Sequence, residues 1–183
     1  MGRDEATNEE AGERMIAVAF FLSASVLLYV LLSIFWPLLT GGACYTPTPR
    51  NKTKLAMEMA KVGPHDVFYD LGCGTGSVLA EAKRRGADVV GIEVEPLRWL
   101  VCKLRVRGGK VILRNMFKVP LHDATVVFLF QCLNANTKLK GKLERELKPG
   151  TKVVSYAWKI DGWKPTMVIE DLYLYTVGES ENV

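Results

Sequence analysis

The stretch Val67-Phe68-Tyr69-Asp70-Leu71-Gly72-Cys73-Gly74-Thr75-Gly76 is a short apolar run that ends in an acid and then in three alternating glycines. Its apolar part predicts a buried strand, and the glycines predict a tight turn, because a residue without Cβ can take positive φ and bring backbone close to a ligand. Beyond the turn, Val78, Leu79 and Ala82 fall at helical spacing up to Gly86. The turn therefore opens a helix whose first amides favour electron-rich groups. Strand, turn and helix begin a βαβ nucleotide-binding unit.

The offsets narrow the ligand. A dinucleotide turn of the form Gly-x-Gly-x-x-Gly needs glycine or alanine at 77, where the chain has Ser77, and Asp70 would set a negative charge beside a diphosphate. A cofactor carrying a cationic amino-acid moiety suits that carboxylate better. The next apolar run, Asp88 to Glu93, ends in a second acid 17 residues after Gly76, the spacing at which a carboxylate accepts from ribose hydroxyls.

An acid two residues before Gly-x-Gly-x-Gly, followed by Glu93, resembles the class I S-adenosylmethionine-dependent methyltransferases. The rest of the chain fits their α/β fold. A helix from Arg50 carries Leu55, Met59 and Val62 and stops at Gly63-Pro64. Another begins at Pro96, has Leu97, Leu100, Val101 and Leu104 on one stripe, sets Arg98, Lys103, Arg105 and Arg107 on a solvated face, and ends at Gly108-Gly109. Lys110 to Leu113 is the third strand. Ala124 to Phe130 is an almost unbroken apolar fourth, of the kind found inside a parallel sheet. Leu139, Leu143 and Leu147 mark a helix that ends at Pro149-Gly150, before a fifth strand at Lys152 to Ala157. Thr166 to Glu170 and Leu172 to Val177 close the chain as an antiparallel pair. The expectation is a Rossmann-like, seven-strand class I methyltransferase sheet with helices on both faces.

More narrowly, the chain resembles the seven-strand protein-lysine methyltransferases that act on the ATP synthase c-subunit and on adenine nucleotide translocase, with their archaeal relatives. The resemblance rests on an N-terminal hydrophobic segment, Thr46-Pro47-Thr48-Pro49, the glycine motif, Gly91-Ile92-Glu93, Val126 to Phe130, Leu147-Lys148-Pro149-Gly150 and Gly162-Trp163-Lys164-Pro165. It implies S-adenosyl-L-methionine as cofactor and a protein substrate, with membrane proteins among the candidates. It implies a cofactor site at Asp70, Gly72, Cys73, Gly74, Gly76, Glu93, Asn115, Met116, Phe117 and Phe130. Asn115 stands where an Asp is more usual, but its side-chain carbonyl still offers an acceptor to an adenine amino group. The amine would enter between Tyr45 to Pro49 and the exit of the fourth strand, Phe130, Gln131 and Cys132. Tyr45 and Gln131 are the candidates for orienting its nitrogen, and Thr46, Pro47, Thr48 and Trp163, with Trp158, for the substrate rim. An interfacial tyrosine and a strand-end amide capping the next helix are the plain alternatives for Tyr45 and Gln131.

Met15 to Leu39 holds 25 residues without Asp, Glu, Lys, Arg or His. About 20 helical residues cross the hydrocarbon core, so this is a candidate transmembrane helix. It is too long for a secretory signal, and the five acids before it fit neither a signal nor a transit peptide. Residues 1–14 form an acidic tail of net charge −3, which leaves +7 for the rest of a chain whose total is +4. Arg50, Lys52, Lys54 and Lys61 follow the span, and the positive-inside rule puts that side in the cytoplasm. The expected organisation is tail 1–14, membrane helix 15–39, linker 40–50, methyltransferase domain 51–177 and a short tail 178–183.

Cys44, Cys73, Cys102 and Cys132 lack Cys-x-x-Cys pairing, and only His65 and His122 accompany them, so no metal site is expected. Nucleic acid is not expected as substrate either, because the basic charge is modest and no Asn-Pro-Pro-Tyr-type motif follows the fourth strand. A lipid or quinone methyltransferase, or a cofactor-binding membrane adaptor without catalysis, stays open on the residues alone.

Overall fold

The computed structural model describes residues 2–40 and 46–180. A long helix, α1 (Gly2–Thr40), precedes α2 (Arg50–Met59) and then the alternation β1 (Val67–Leu71), α3 (Ser77–Arg84), β2 (Asp88–Glu93), α4 (Pro96–Arg105), β3 (Lys110–Leu113), β4 (Val126–Leu129), α5 (Leu133–Glu146) and β5 (Lys152–Tyr156). The antiparallel pair β6 (Met167–Ile169) and β7 (Leu172–Thr176) completes a seven-stranded sheet in the order β3-β2-β1-β4-β5-β7-β6. The expected sheet is present, with strand ends within two residues of the apolar runs. The residues expected as an acidic tail continue α1 as helix.

Side chains along β1 and β4 alternate between two cores, as the pleat requires. Phe68 and Phe128 pack with Met57, Leu79 and Cys102 on the face covered by α2, α3 and α4. Tyr69, Leu71, Val127 and Leu129 pack with Leu139 and Leu143 of α5 on the other. Both strands are buried on both sides, which is why their sequences lack polar alternation. Chain order reverses at β1, which has β2 on one side and β4 on the other. That switch point leaves a crevice outside the carboxyl ends of the strands.

The buried face of α4 differs from the one expected. Leu97, Leu100 and Leu104 are 50%, 44% and 61% exposed. Cys102 and Val106 face the core instead, and Trp99 donates its indole N–H to the Val111 carbonyl at 3.1 Å. Residues 99, 102 and 106 fit helical spacing as well as 97, 100 and 104 do, so the helix has two apolar stripes and the sheet accepts one.

These two environments predict opposite costs in urea unfolding. Phe128→Ala should lower stability by about 3–5 kcal/mol, whereas Leu104→Ala should change it by no more than about 0.5 kcal/mol.

Candidate active site

The glycine turn sits over the carboxyl end of β1, held by hydrogen bonds to its neighbours. Gly72 and Cys73 both donate N–H to the Ile92 carbonyl at 2.9 Å, and Gly76 donates to the Cys73 carbonyl at 2.8 Å. Gly72, Gly74 and Gly76 all have positive φ. At Gly72 the requirement is also steric, because a Cβ would lie 2.4 Å from Nε2 of Gln131. That amide nitrogen donates to the Leu71 carbonyl. Gln131 thus braces the end of β1 and caps no helix.

A cleft of about 860 Å³, its open mouth included, lies beside this turn. Its lining brings together Thr46, Pro47, Thr48, Asp70, Gly72, Cys73, Gly74, Glu93, Asn115, Met116, Phe117, Phe130 and Gln131, which come from five separate stretches of sequence. Gly76, also expected in the cofactor site, does not line the cleft; it is the left-handed N-cap of α3. Trp163 lies elsewhere: it is buried, donates its indole N–H to Glu144 at 2.9 Å and meets Tyr175 edge-on at 5.7 Å. Trp158, 45% exposed, does not line the cleft either. Tyr45 falls outside the described residues.

The two acids of the cleft are satisfied differently. Glu93 accepts N–H from Val94 and Glu95 on Oε1 and from Gly74 on Oε2, each at 2.9 Å, and the Arg98 guanidinium lies 3.6 Å away. Oε2 keeps acceptor capacity toward the cleft. Asp70 is buried, and its carboxyl has no hydrogen-bond partner among the described residues. Burial, and to a smaller extent the Glu93 charge, push this carboxyl up to about 8. A buried carboxylate without a partner is costly, and a bound cation removes the cost.

The other side of the cleft is apolar. Asn115 caps the 3₁₀ turn Met116–Lys118, accepting the Phe117 N–H on Oδ1 at 2.9 Å. Met116 and the half-buried Phe117 present hydrophobic surface to the same space. Phe130 packs on Tyr156 with ring centroids 4.4 Å apart. Arg98 and Arg114 also line the cleft, and sequence reading missed both. Arg98 is no part of a solvated face; it lies three residues beyond the N-cap Glu95, whose Oε2 accepts its N–H at 2.8 Å, and that i, i+3 relation was the available signal.

The residues fit an S-adenosylmethionine-type ligand on geometry alone. A glycine cradle, an unpartnered acid for an ammonium, a second acid with spare acceptor capacity for ribose and an apolar slot for a purine occur in one cleft. Among the described residues there is no group of three or more His, Cys, Asp and Glu able to hold a metal. Cys73 and Cys102 are buried free thiols with Sγ atoms 3.5 Å apart. That contact, burial and the nearby carboxylates hold the Cys73 thiol protonated.

Comparison with known proteins agrees. The model of the ANTKMT methyltransferase domain matches residues 70–167. A protein-lysine N-methyltransferase of Saccharolobus islandicus (strain REY15A) is 40% identical over 151 residues, covering 74% of this chain and 94% of that protein. The adenine nucleotide translocase lysine N-methyltransferase of Mus musculus is 29% identical over 111 residues, 56% of this chain and 48% of that one. A crystal structure described as an RNA methyltransferase from Salinibacter ruber, in complex with S-adenosyl-L-homocysteine, superposes with a TM-score of 0.72 at 31% identity. It covers 74% of this chain and 95% of that one.

The state of Asp70 yields a signed pH dependence. A carboxyl raised in the folded chain from 3.8 to about 8 keeps its proton on folding, so the stability it contributes is present at low pH and lost as pH climbs through that window. Cofactor binding reverses the effect. Calorimetry should show S-adenosylmethionine affinity rising from about pH 6 to about pH 8 for the native chain. Asp70→Asn should bind about ten- to a hundredfold more weakly, without that slope. The unliganded variant should be more stable than the native chain near the upper end of the window.

Proposed function

Because the chain belongs to the ANTKMT methyltransferase family, we propose that it methylates lysine side chains of proteins, and that α1 holds it in a membrane with its catalytic domain on the cytoplasmic side. The observation that carries the enzymatic reading is the lone buried carboxylate of Asp70 under the glycine turn, in a chain 40% identical to a protein-lysine methyltransferase over nearly that protein's whole length.

Each part of the cleft then has a task. Asp70 accepts from the cofactor's ammonium, and Gly72 and Gly74 let the backbone approach its amino-acid end. Glu93 Oε2 takes a ribose hydroxyl, Asn115 the adenine amino group, and Met116 and Phe117 flank the ring. The cofactor supplies a methyl group on a sulfonium. The chain's contribution is to hold a neutral amine in line with it, since positioning supplies several kcal/mol. Thr46, Pro47 and Thr48 on one side and Phe130 and Gln131 on the other border the route of entry. The Gln131 amide nitrogen is engaged with Leu71, which leaves Oε1 to orient the amine, with Tyr45 as the second candidate.

No histidine lines the cleft among the described residues, and its two carboxylates, Asp70 and Glu93, are the ones assigned above to the cofactor. Lysine therefore gives its proton to solvent water before it is seated, with desolvation against Phe130 favouring the neutral amine and no dedicated base involved. At saturating cofactor, kcat/KM should rise by roughly tenfold per pH unit below the amine pKa of about 10.4.

Support for the anchor comes from α1, in which Gly12–Leu32 is long and apolar enough to cross a membrane and none of its apolar window is buried within the molecule. A membrane-embedded or membrane-proximal protein is the matching acceptor. Mass spectrometry of a membrane extract incubated with purified protein and limiting S-adenosylmethionine should find methylated lysine, and about ten- to a hundredfold less of it with Asp70→Asn. Methyl groups found only in RNA or lipid would refute the lysine reading. Full-length protein should resist alkaline carbonate extraction, whereas a chain starting at Thr46 should be released; release of both overturns the anchor.

A further inference from the structure

The leucines that α4 turns away from the sheet do not stand alone. Between Pro96 and His122 the chain has seven cations, Arg98, Lys103, Arg105, Arg107, Lys110, Arg114 and Lys118, and no Asp or Glu. Lys103, Arg107 and Lys110 are exposed, and the Lys103 ammonium sits 5.0 Å over the Trp99 ring. The carboxylates that precede the segment, Glu93 and Glu95, are buried and already occupied by backbone N–H groups and Arg98, and Asp123, which follows it, accepts from the Tyr69 hydroxyl. One edge of the domain thus presents an aliphatic stripe flanked by positive charge.

Its place in the chain matters. Tyr29 of α1 donates its hydroxyl to Glu95, the N-cap of α4, so the stripe begins beside the apolar helix. With α1 in place the three leucines remain 44–61% exposed, so α1 does not cover them.

We propose that α4 and the adjoining turn to β3 form a docking face for an anionic phospholipid surface. Leu97, Leu100 and Leu104 enter the headgroup and acyl boundary, while Lys103, Arg107 and Lys110 meet lipid phosphates. A leucine stripe between cations is the pattern of a helix lying in the interface plane. Nucleic acid would use the same charge, but it gives nothing to three exposed aliphatic side chains, since single strands are bound by stacking on aromatics. The proposal rests on the anchoring reading for the identity of the surface.

The test is amide hydrogen exchange on the full chain in phosphatidylcholine nanodiscs made with or without phosphatidylglycerol. Anchoring is read from α1, whose amides exchange slowly in both discs. Docking is read from residues 97–107, where exchange should slow by about tenfold or more when phosphatidylglycerol is present. Leu100→Ser with Leu104→Ser, and separately Lys103→Glu with Arg107→Glu, should abolish that difference and leave S-adenosylmethionine affinity unchanged. Equal exchange of α4 in both lipids overturns the proposal, whatever α1 does. So does slowing that requires added RNA, or that grows with protein concentration in detergent, outcomes that assign the face to nucleic acid or to a second copy. If α1 does not enter the discs, the same comparison with preformed vesicles of the two compositions still scores α4.

Discussion

Two buried carboxylates end neighbouring parallel strands, and the cleft is arranged around the difference between them. Asp70 pairs in register with Gly91 and Leu71 with Ile92, so Glu93 ends β2 one position beyond the last pair. Glu93 is neutralised from within by three N–H groups and Arg98, which ties the glycine turn to β2 and fixes its shape before any ligand arrives. Asp70 receives no such help. One acid therefore builds the site, and the other stores an unmet demand for positive charge, which is the basis of the role proposed for it toward a cationic cofactor.

The same pair explains why the glycines cannot be exchanged. A turn pulled this close to β2 brings Gly91 against Leu79 and Cys73, where a Cβ would lie 2.4 and 2.8 Å from their side chains. At Gly76 a Cβ would lie 2.6 Å from Cys102 Sγ in α4. Turn, first helix and second helix are thus locked into one block, and preorganisation of the cradle follows from packing around small residues, not from contacts to the ligand.

How much of this is legible in sequence depends on how local each constraint is. Asp70, the three glycines and Glu93 are readable because their roles follow from backbone conformation and from offsets within one βαβ unit. Thr46 to Thr48 and Asn115 to Phe117 are located only through resemblance, and they do reach the cleft. Arg98 escapes because the leucine periodicity of α4 puts it on the polar side, and only its i, i+3 offset from the cap Glu95 marks its place. Trp163 is misplaced for a similar reason: Glu144 on α5 satisfies its indole N–H, and a buried partner of that kind is invisible in sequence. Gln131 reads equally well as a helix cap, but parallel pairing of β1 with β4 carries it to the Leu71 carbonyl.

On α4 the ambiguity lies in the helix itself. Two apolar stripes along one short helix give periodicity no means of choosing, and the sheet takes the one that includes Cys102 and the C-cap Val106, both buried in the core. A domain surrounded by water has reason to make the rejected stripe polar, since exposed leucines beside one another invite association. Here the stripe is leucine, at the point where the chain returns to Tyr29. On the proposed anchoring, attachment by a transmembrane helix is effectively irreversible, so leucines on α4 are not needed for affinity. What a single span leaves undetermined is rotation of the domain about its tether. The proposed second contact, on the edge formed by α4 and β3, would fix that rotation and with it the direction in which the mouth between Thr46 to Thr48 and Phe130 opens relative to the bilayer.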